Sequence, residues 1–489
     1  MSQLIILLVL TPMVTAFLLS VTAIPHRVEQ KGLMTIRTIL SLSGFCVLFT
    51  FLFLCSPDMV SGKVYEYTVG GWGSLFGIAL RLDPLSFLIA LVSVTVCFFA
   101  LVYSFTFMEH MRGLGKYDAF FFLMITGIMG VLVSRDIFNM YVFFEILNIS
   151  VYVLITTGRK KENYKASLKY LILESVSSIL FLMAVGILYS TTGSLNMDYI
   201  AEGISLLQRE QPSVVILLFS LFFVSLGLKS GVVPLHFWLP DAHFAAPSPI
   251  SAVQSGIILK IGIYAMIRIF SLFGTALCDM SYFIAFMGAI TVITGTLCAL
   301  VQTDLKRLLA YSSINQIGII VIGIGIGTSL AMKGALFHII NHALAKGGLF
   351  LCAGILIHTR GTRQISGMRF RDSPGLTLSF ILLSLSIIGI PPLNGFVSKL
   401  FICFGAMDAH SSEFAFLILF SSIISCVYYF RVIQTFFPRQ KKKAVTPDVH
   451  ISASTMLPIY ILTVMCLLLG LFPDIGLKII GMALEVLLG

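Results

Sequence analysis

Charge is scarce in this sequence. Only 11% of its 489 residues are Asp, Glu, Lys or Arg, against about 25% in an average soluble domain. Hydrophobic residues make up 58%, and the mean hydropathy is +1.00. No long polar block exists, so no sizeable soluble domain can be cut from the chain. Paired cysteines are missing as well. The nine cysteines lie singly in or beside apolar runs, without a CxxC, which speaks for packing and against a metal site or disulfide framework. No Gly-rich nucleotide loop and no haem-ligand arrangement occurs, so no cofactor is expected and no metal or cofactor-binding residue is assigned. A net charge of +10 would point to nucleic acid only if the basic residues formed a patch. They sit instead in short connections between apolar runs, as orientation signals do. Nucleic acid is therefore not an expected partner; the lipid bilayer is. Nor does a basic residue precede Leu4–Ile24, so this stretch reads as a first span rather than a signal peptide.

What is present is a series of fourteen apolar runs of spanning length, from Leu4–Ile24 to Met456–Leu471. A span needs about 17–25 residues. The fold class is therefore an all-α polytopic membrane protein. Basic residues concentrate in odd-numbered connections, for example Arg27, Lys31 and Arg37, Arg112 and Lys116, Arg159 to Lys161 with Lys165, Lys306 and Arg307, Arg360 to Arg371, and Arg439 to Lys443. The positive-inside rule then places those connections in the cytoplasm, in a cell inner (plasma) membrane, with both termini external. Val64 to Val69 alternates in polarity before Gly70-Gly71 and reads as a small external hairpin. Ile475–Leu488, after Pro473, is left unassigned as a span.

One stretch organises the rest: Ser230-Gly-Val-Val-Pro-Leu-His-Phe-Trp-Leu-Pro-Asp-Ala-His243. Pro234 deletes a backbone donor inside an apolar run and breaks the helix. Gly231-Val-Val-Pro-Leu235 returns as Gly389-Ile-Pro-Pro-Leu393, and Ser134-Arg-Asp136 as Gln302-Thr-Asp304. The second offset, 168 residues, also aligns Leu168 with Leu336 and Ser178 with Lys346. Each copy spans five helices, an odd number, so the copies are inverted. In such folds, ion sites lie near the midplane at the broken helices. The expected division is 1–117 as an N-terminal three-helix segment with the hairpin, 118–272 as the first repeat, 273–440 as the second, and 441–489 as a C-terminal helix and tail.

Charged residues inside the runs need a reason, because each costs roughly 2.5–3.5 kcal/mol at bilayer centre on insertion scales. Glu145 lies in the fifth run, Glu174 in the sixth, Lys229 in the seventh, Lys260 in the eighth and Lys399 in the twelfth. The eleventh carries His338, His342 and Lys346 at i, i+4 and i+8, one stripe on one face. A row of Glu, Lys and His groups suits lateral proton movement. A carboxylate beside a buried lysine holds its proton, and histidine exchanges protons at either nitrogen. The expected switch is an ion pair between Glu145 and Lys229. The plainer readings are a static Glu145–Lys229 pair, a core histidine at His338, a polar helix contact or partner contact at Glu174, and capping roles for His236 and His243. Lys306 and Arg307 fit snorkelling groups; His110, His358, His410 and His450 fit the surface.

Several strings resemble a known family. Asp136-Ile-Phe-Asn-Met-Tyr-Val-Phe-Phe-Glu145, Leu226-Gly-Leu-Lys229, Pro234-Leu-His-Phe-Trp-Leu-Pro-Asp-Ala-His243, Ala246-Pro-Ser-Pro-Ile-Ser-Ala252, Leu305-Lys-Arg-Leu-Leu-Ala-Tyr-Ser-Ser313 and Asn341-His-Ala-Leu-Ala-Lys346 look like the proton-conducting, antiporter-like subunits. These are shared by respiratory complex I, membrane-bound hydrogenases and Mrp-type cation/proton antiporters. The strings around Ser134 and Thr192 are most similar to the Mrp D subunit. The resemblance implies two inverted five-helix bundles, a cytoplasmic half-channel near Lys229 and Lys260, and an external exit near Lys399. It places the family's functional residues on Glu145, Lys229, Lys260, His342 and Lys399. One departure stands out: Ser312-Ser313 occupies the place where the repeat would put a partner for Glu145.

The expected function is thus a proton-translocating subunit, not catalytic by itself, working with other membrane subunits and with protons; the sequence does not decide whether Na⁺ or K⁺ also moves through this chain or a partner. The rivals are a quinone-binding redox subunit, using His236, Trp238 and His243 around the break, and a scaffold with static ion pairs.

Overall fold

The computed structural model describes residues 2–22, 30–73, 77–108, 116–368, 373–437 and 452–488. Arg27, His110, Arg112, Arg369, Arg371, Arg439, Lys441 to Lys443 and His450 lie outside them, as does the side chain of Lys31.

Helices α1 (Leu7–Val21) and α2 (Gln30–Val60) lead to a hairpin of β1 (Tyr65–Thr68) and β2 (Ala79–Leu82). The strands are antiparallel, with Tyr65 opposite Leu82. The hairpin exists, but Gly70-Gly71 only opens its connection and the return strand starts at Ala79. Helix α3 (Pro84–Phe107) begins where Asp83 accepts the Ser86 N–H and the Ser86 hydroxyl accepts the Asp83 N–H, both at 2.9 Å. This reciprocal cap is completed by Pro84 at the first helical position, where its missing N–H costs nothing.

Next come α4 (Lys116–Val133), α5 (Ile137–Thr156), α6 (Lys161–Thr192), α7 (Met197–Glu210) and α8 (Pro212–Ser230). After the break stand α9 (Leu239–Ala245), α10 (Ser248–Val253), a π-helical turn at Gln254–Ile258, and α11 (Leu259–Ser271). The second half holds α12 (Ala276–Val301), α13 (Leu305–Ile326), α14 (Ser329–Arg360), α15 (Pro374–Ile388), α16 (Asn394–Asp408) and α17 (Ser412–Phe436). Helices α18 (Ala453–Leu471) and α19 (Asp474–Leu488) close the described chain.

Among the described residues, 13 helical segments are long and apolar enough to cross a membrane. The remaining run, Leu376–Phe404, is split into α15 and α16, each too short to span alone. The chain is a polytopic membrane protein, helical in its described elements apart from the small hairpin. Helix α7 has no counterpart among the expected runs. It buries Met197, Ile200, Ile204 and Leu207 at helical spacing and turns its other residues outward, so it lies along the surface. The tail is a helix too: α19 packs Ile480, Ala483 and Leu484 against α3 and α14.

Burial sorts the helices into layers. The most apolar window of α14 is wholly buried, as is that of Ser248–Ser271, whereas α1, α2, α6, α17 and α18 expose most of theirs. Phe53, Phe416 and Ile423 are among the apolar side chains facing outward. Helix α14 is thus the inner column, touching α3, α10, α13, α15, α16, α18 and α19.

Local geometry recurs along the chain. Asp136 caps α5 through the Asn139 N–H at 2.7 Å, and Asp304 caps α13 through the Arg307 N–H at 3.0 Å. Ile137 N–H donates to the Leu195 carbonyl, and Leu305 N–H to that of Arg363. Met197 N–H donates to Arg135, and Ile365 N–H to Thr303. Each of these pairs lies 168 residues from its counterpart. The breaks recur as well: α8 ends at Gly231 with φ +73° and α15 at Gly389 with φ +88°. Both glycines take the left-handed conformation that ends helices and that a Cβ disfavours. A cis peptide bond follows each, at Val233-Pro234 and Pro391-Pro392.

Candidate ion path

The first half presents an ion pair inside the bundle. Lys229 Nζ lies 3.0 Å from Glu174 Oε2, both side chains 4% exposed, and 4.8 Å from the centre of the Phe144 ring. The expected partner, Glu145, is not the one used. Its carboxylate is half-buried on the outer flank of α5, between exposed Val142 and Ile149, and accepts from the Ser178 hydroxyl. The reason is helix adjacency. Ser177 and Ser225 exchange hydroxyl–carbonyl hydrogen bonds at 2.9 and 2.8 Å, clamping α6 to α8. One turn away, this antiparallel contact sets Glu174 opposite Lys229.

Past the break, Trp238 Nε1 donates to the Leu228 carbonyl at 2.9 Å, which also accepts the Gly231 N–H at 3.2 Å where α8 ends. Helix α11 passes close by: a Cβ on Gly262 would stand 2.5 Å from Ser230 Oγ. One turn of π-helix precedes it, and Lys260 Nζ donates to the carbonyl of Ser255 inside that turn. Such turns leave backbone groups available at functional sites. Ser255 and Ser313 hydroxyls, 2.7 Å apart, join this segment to α13.

The stripe on α14 follows. Lys346 Nζ donates to the Leu309 carbonyl at 3.0 Å, to the Ser312 hydroxyl and to Tyr429 OH at 3.1 Å. Three acceptors match the three protons of an ammonium group. One turn back, the His342 ring makes no hydrogen bond at either nitrogen though it is 1% exposed. It stacks on His338, ring centres 6.2 Å apart. His338 is held at both nitrogens, 2.8 Å from Ser398 Oγ and 3.0 Å from Gln316 Oε1. Next to Ser398, on α16, Lys399 Nζ donates to the carbonyls of Ile387 and Ile388, each at 2.9 Å, and to Ser422 Oγ at 3.0 Å. The second break frees these carbonyls, and the lysine after it takes them up.

The seven assigned residues are carried by α5, α8, α11, α14 and α16, and all are buried except Glu145, which is half-buried. Glu174 stands out in the sequence as a charge in an apolar run but receives no role there. A signal for it exists: Tyr170, Glu174 and Ser178 lie 168 residues before His338, His342 and Lys346. Applied to the whole stripe, the repeat offset marks Glu174 as the counterpart of His342. Ser312 binds Lys346, so the missing second-half carboxylate is replaced by a hydroxyl and Tyr429. The three residues of the quinone reading are all buried, with His236 stacked on Phe237 at 4.8 Å between ring centres. Trp238 and His243 are buried, the latter stacked on Phe350, and Phe237 points outward.

A second charged contact carries no mark in the sequence. Arg268 on α11 grips the Asp83 carboxylate at both oxygens and donates to Tyr264 OH at 3.0 Å. Burial alone would push the Asp83 carboxyl up, but Arg268 and the Ser86 N–H hold it below the usual carboxylate range. This pair ties the hairpin end of α3 to α11.

The model of the family described as NADH:quinone oxidoreductase/Mrp antiporter, TM, matches residues 134–425. The chain belongs to this antiporter-like family. Residues 73–121 also match the model described as the N-terminus of NADH-ubiquinone oxidoreductase (complex I) chain 5. The antiporter-like subunit is 36% identical to NADH-quinone oxidoreductase subunit N of Desulforudis audaxviator over 86% of this chain and 87% of that one. It is 31% identical to the D subunit of the Na⁺/H⁺ antiporter of Bacillus subtilis over 100% and 98% of the two chains. Its fold matches a chain of the membrane-bound sulfane sulfur reductase, an archaeal respiratory membrane complex, with a TM-score of 0.87, 30% identity and coverage of 98% and 97%.

Proposed function

We propose that this antiporter-like subunit moves protons across the membrane as one member of a multisubunit membrane complex. The observation that carries the reading is the buried file itself. It runs from Glu174–Lys229 through Lys260 and Lys346 to His342, His338 and Lys399, with Glu145 at its outer edge. So many ionisable groups at membrane depth are costly unless they serve conduction. Polar atoms without a protein partner sit among them, on His342, Gln254, Ser230, Asn315 and Gln316. Those atoms suit a chain of water that would link lysine to lysine.

In this reading residues 118–272 and 273–440 form the two inverted repeats, each giving one half-channel beside its break. Protons enter from the cytoplasm near Lys229 and Lys260, pass along the α14 stripe and leave near Lys399. The basic connections face the cytoplasm of a plasma membrane, and both termini face outward. Glu174 holds the Lys229 proton while the pair is closed, and release follows when they separate. Glu145 and Ser178 form the outer contact of the file. Proton flux through the assembled complex in proteoliposomes, followed with an entrapped pH dye, tests this. Lys229→Ala and Lys260→Ala are each expected to reduce coupled flux at least tenfold. Normal flux in fully assembled variants would overturn the reading and favour a static scaffold.

A further inference from the structure

Away from the file, the outer face of α6 carries a groove that the proton reading does not use. It has a volume of about 850 Å³ and lies between the start of α6, the segment Phe237–Phe244 and the start of α13. Its rim is cationic. Lys169 lies 2.7 Å from one oxygen of Asp241, and Arg307 lies 3.3 Å from the other. One carboxylate thus serves two cations. Lys165 adds a third and forms no ion pair among the described residues, while Glu162 is engaged with Arg363 at 3.9 Å. The groove therefore keeps an excess of positive charge. Arg307 is also set in place: its guanidinium stacks 4.9 Å from the Phe244 ring, whose centre lies 4.3 Å from that of Arg363. The cations stay reachable, with Lys169 and Arg307 side chains 40% and 43% exposed.

The wall below the rim is different. Leu168 is 57% exposed, Ile172 55% and Phe237 61%. The apolar face continues along α6 through Val176, Ile179 and Met183, all exposed. At 1.5 Å rise per residue, Lys165 and Ile172 stand about 10 Å apart along the axis. Cations thus crown an apolar strip that runs toward the bilayer centre. A soluble anion would use only the crown. An apolar polypeptide would leave the excess charge unmatched. A molecule with an anionic head and hydrocarbon tails matches both levels, as basic pockets between membrane helices do.

We propose that this groove is a binding site for an anionic phospholipid, its phosphate held by Lys165, Lys169 and Arg307 and its chains lying along Leu168, Ile172 and Phe237. The lipid braces α6 against the Phe237–Phe244 segment and α13 from outside. The assignment is independent of the path taken by protons.

The test uses the assembled complex, purified from nanodiscs containing phosphatidylglycerol and phosphatidylethanolamine with identical chains, and native mass spectrometry. Retained phosphatidylglycerol is expected to exceed phosphatidylethanolamine severalfold. Lys165→Gln breaks no ion pair and should lower that retention about fivefold, since each surface cation adds that order of attraction. Lys169→Gln should do likewise, and Lys169→Arg should restore it. Equal retention of the two lipids, or unchanged retention in Lys165→Gln, overturns the site. So does inorganic phosphate displacing the lipid at millimolar concentration, which would make the groove a soluble-anion site. Cross-linking of an Ile172→Cys variant to another subunit in the intact complex would show a polypeptide there instead.

Discussion

Replacing Glu174 with glutamine keeps the volume of the side chain and removes its charge. In the structure that charge lies 3.0 Å from Lys229 Nζ, with both side chains 4% exposed. At an effective dielectric constant of about 20, two unit charges at that distance attract by roughly 5 kcal/mol. Breaking a buried pair from one side costs about 3–5 kcal/mol, because the remaining charge is stranded. Glu145→Gln is a different perturbation. Its carboxylate is half-buried and bonded to the Ser178 hydroxyl, which a glutamine oxygen also accepts, so its stability cost should stay near 1 kcal/mol. Two measurements separate the cases: thermal unfolding of the purified complex, and dye-detected proton flux in proteoliposomes. Glu174→Gln is expected to lower the melting temperature by several degrees and flux at least tenfold. The double variant Glu174→Gln/Lys229→Gln should regain much of the stability and none of the flux. If Glu174→Gln assembles and transports within twofold of the parent while Glu145→Gln does not, the switch lies at Glu145 and the Glu174–Lys229 pair is structural.

Three further perturbations follow from the same geometry. His342 makes no hydrogen bond, so His342→Ala loses buried packing but strands no partner, and should reduce flux about tenfold; His338→Ala strands Ser398 and Gln316 and should cost about 1–3 kcal/mol beyond its own packing loss, with a milder flux loss. Lys399→Ala should abolish coupled flux and Lys399→Glu retain part of it; full flux in Lys399→Ala would remove this residue from the path. Asp83→Asn should cost about 3–5 kcal/mol at neutral pH by stranding Arg268. The Asp83 carboxyl is held below its ordinary value, so its stabilisation is present above about pH 4 and fades as pH falls through the folded value. The gap in melting temperature between parent and variant should therefore narrow in acid, and a gap independent of pH would refute this assignment.

Much of the architecture is legible in the sequence because membrane helices declare themselves by length and apolarity. The breaks at Gly231 and Gly389 are legible because glycine and proline are local signals. Pairings between helices are not. Glu145 and Glu174 both lie within apolar runs, and nothing local says which one reaches Lys229. The Ser177–Ser225 clamp decides it, and serine pairs carry no mark in a sequence. Helix α7 escapes notice because hydropathy over a spanning window averages away a short amphipathic pattern. Arg268 stays obscure because its partner, Asp83, sits 185 residues earlier as a helix cap. The α14 stripe is visible at its spacing of four, yet its echo at Tyr170, Glu174 and Ser178 requires carrying one offset through three positions.

The inner position of α14 also bears on how the chain is made. This helix holds His338, His342 and Lys346 in its middle, and a lysine at that depth costs about 2.5–3.5 kcal/mol to insert alone. One of its acceptors, Tyr429, is synthesised 83 residues later, on α17. During translation α14 is therefore expected to lack this acceptor until α17 arrives, with α13, the earlier helices and then α15 and α16 as its neighbours. Chains truncated before Ser412 should remain exposed to membrane-embedded proteases, whereas chains ending after Phe436 should survive a pulse-chase.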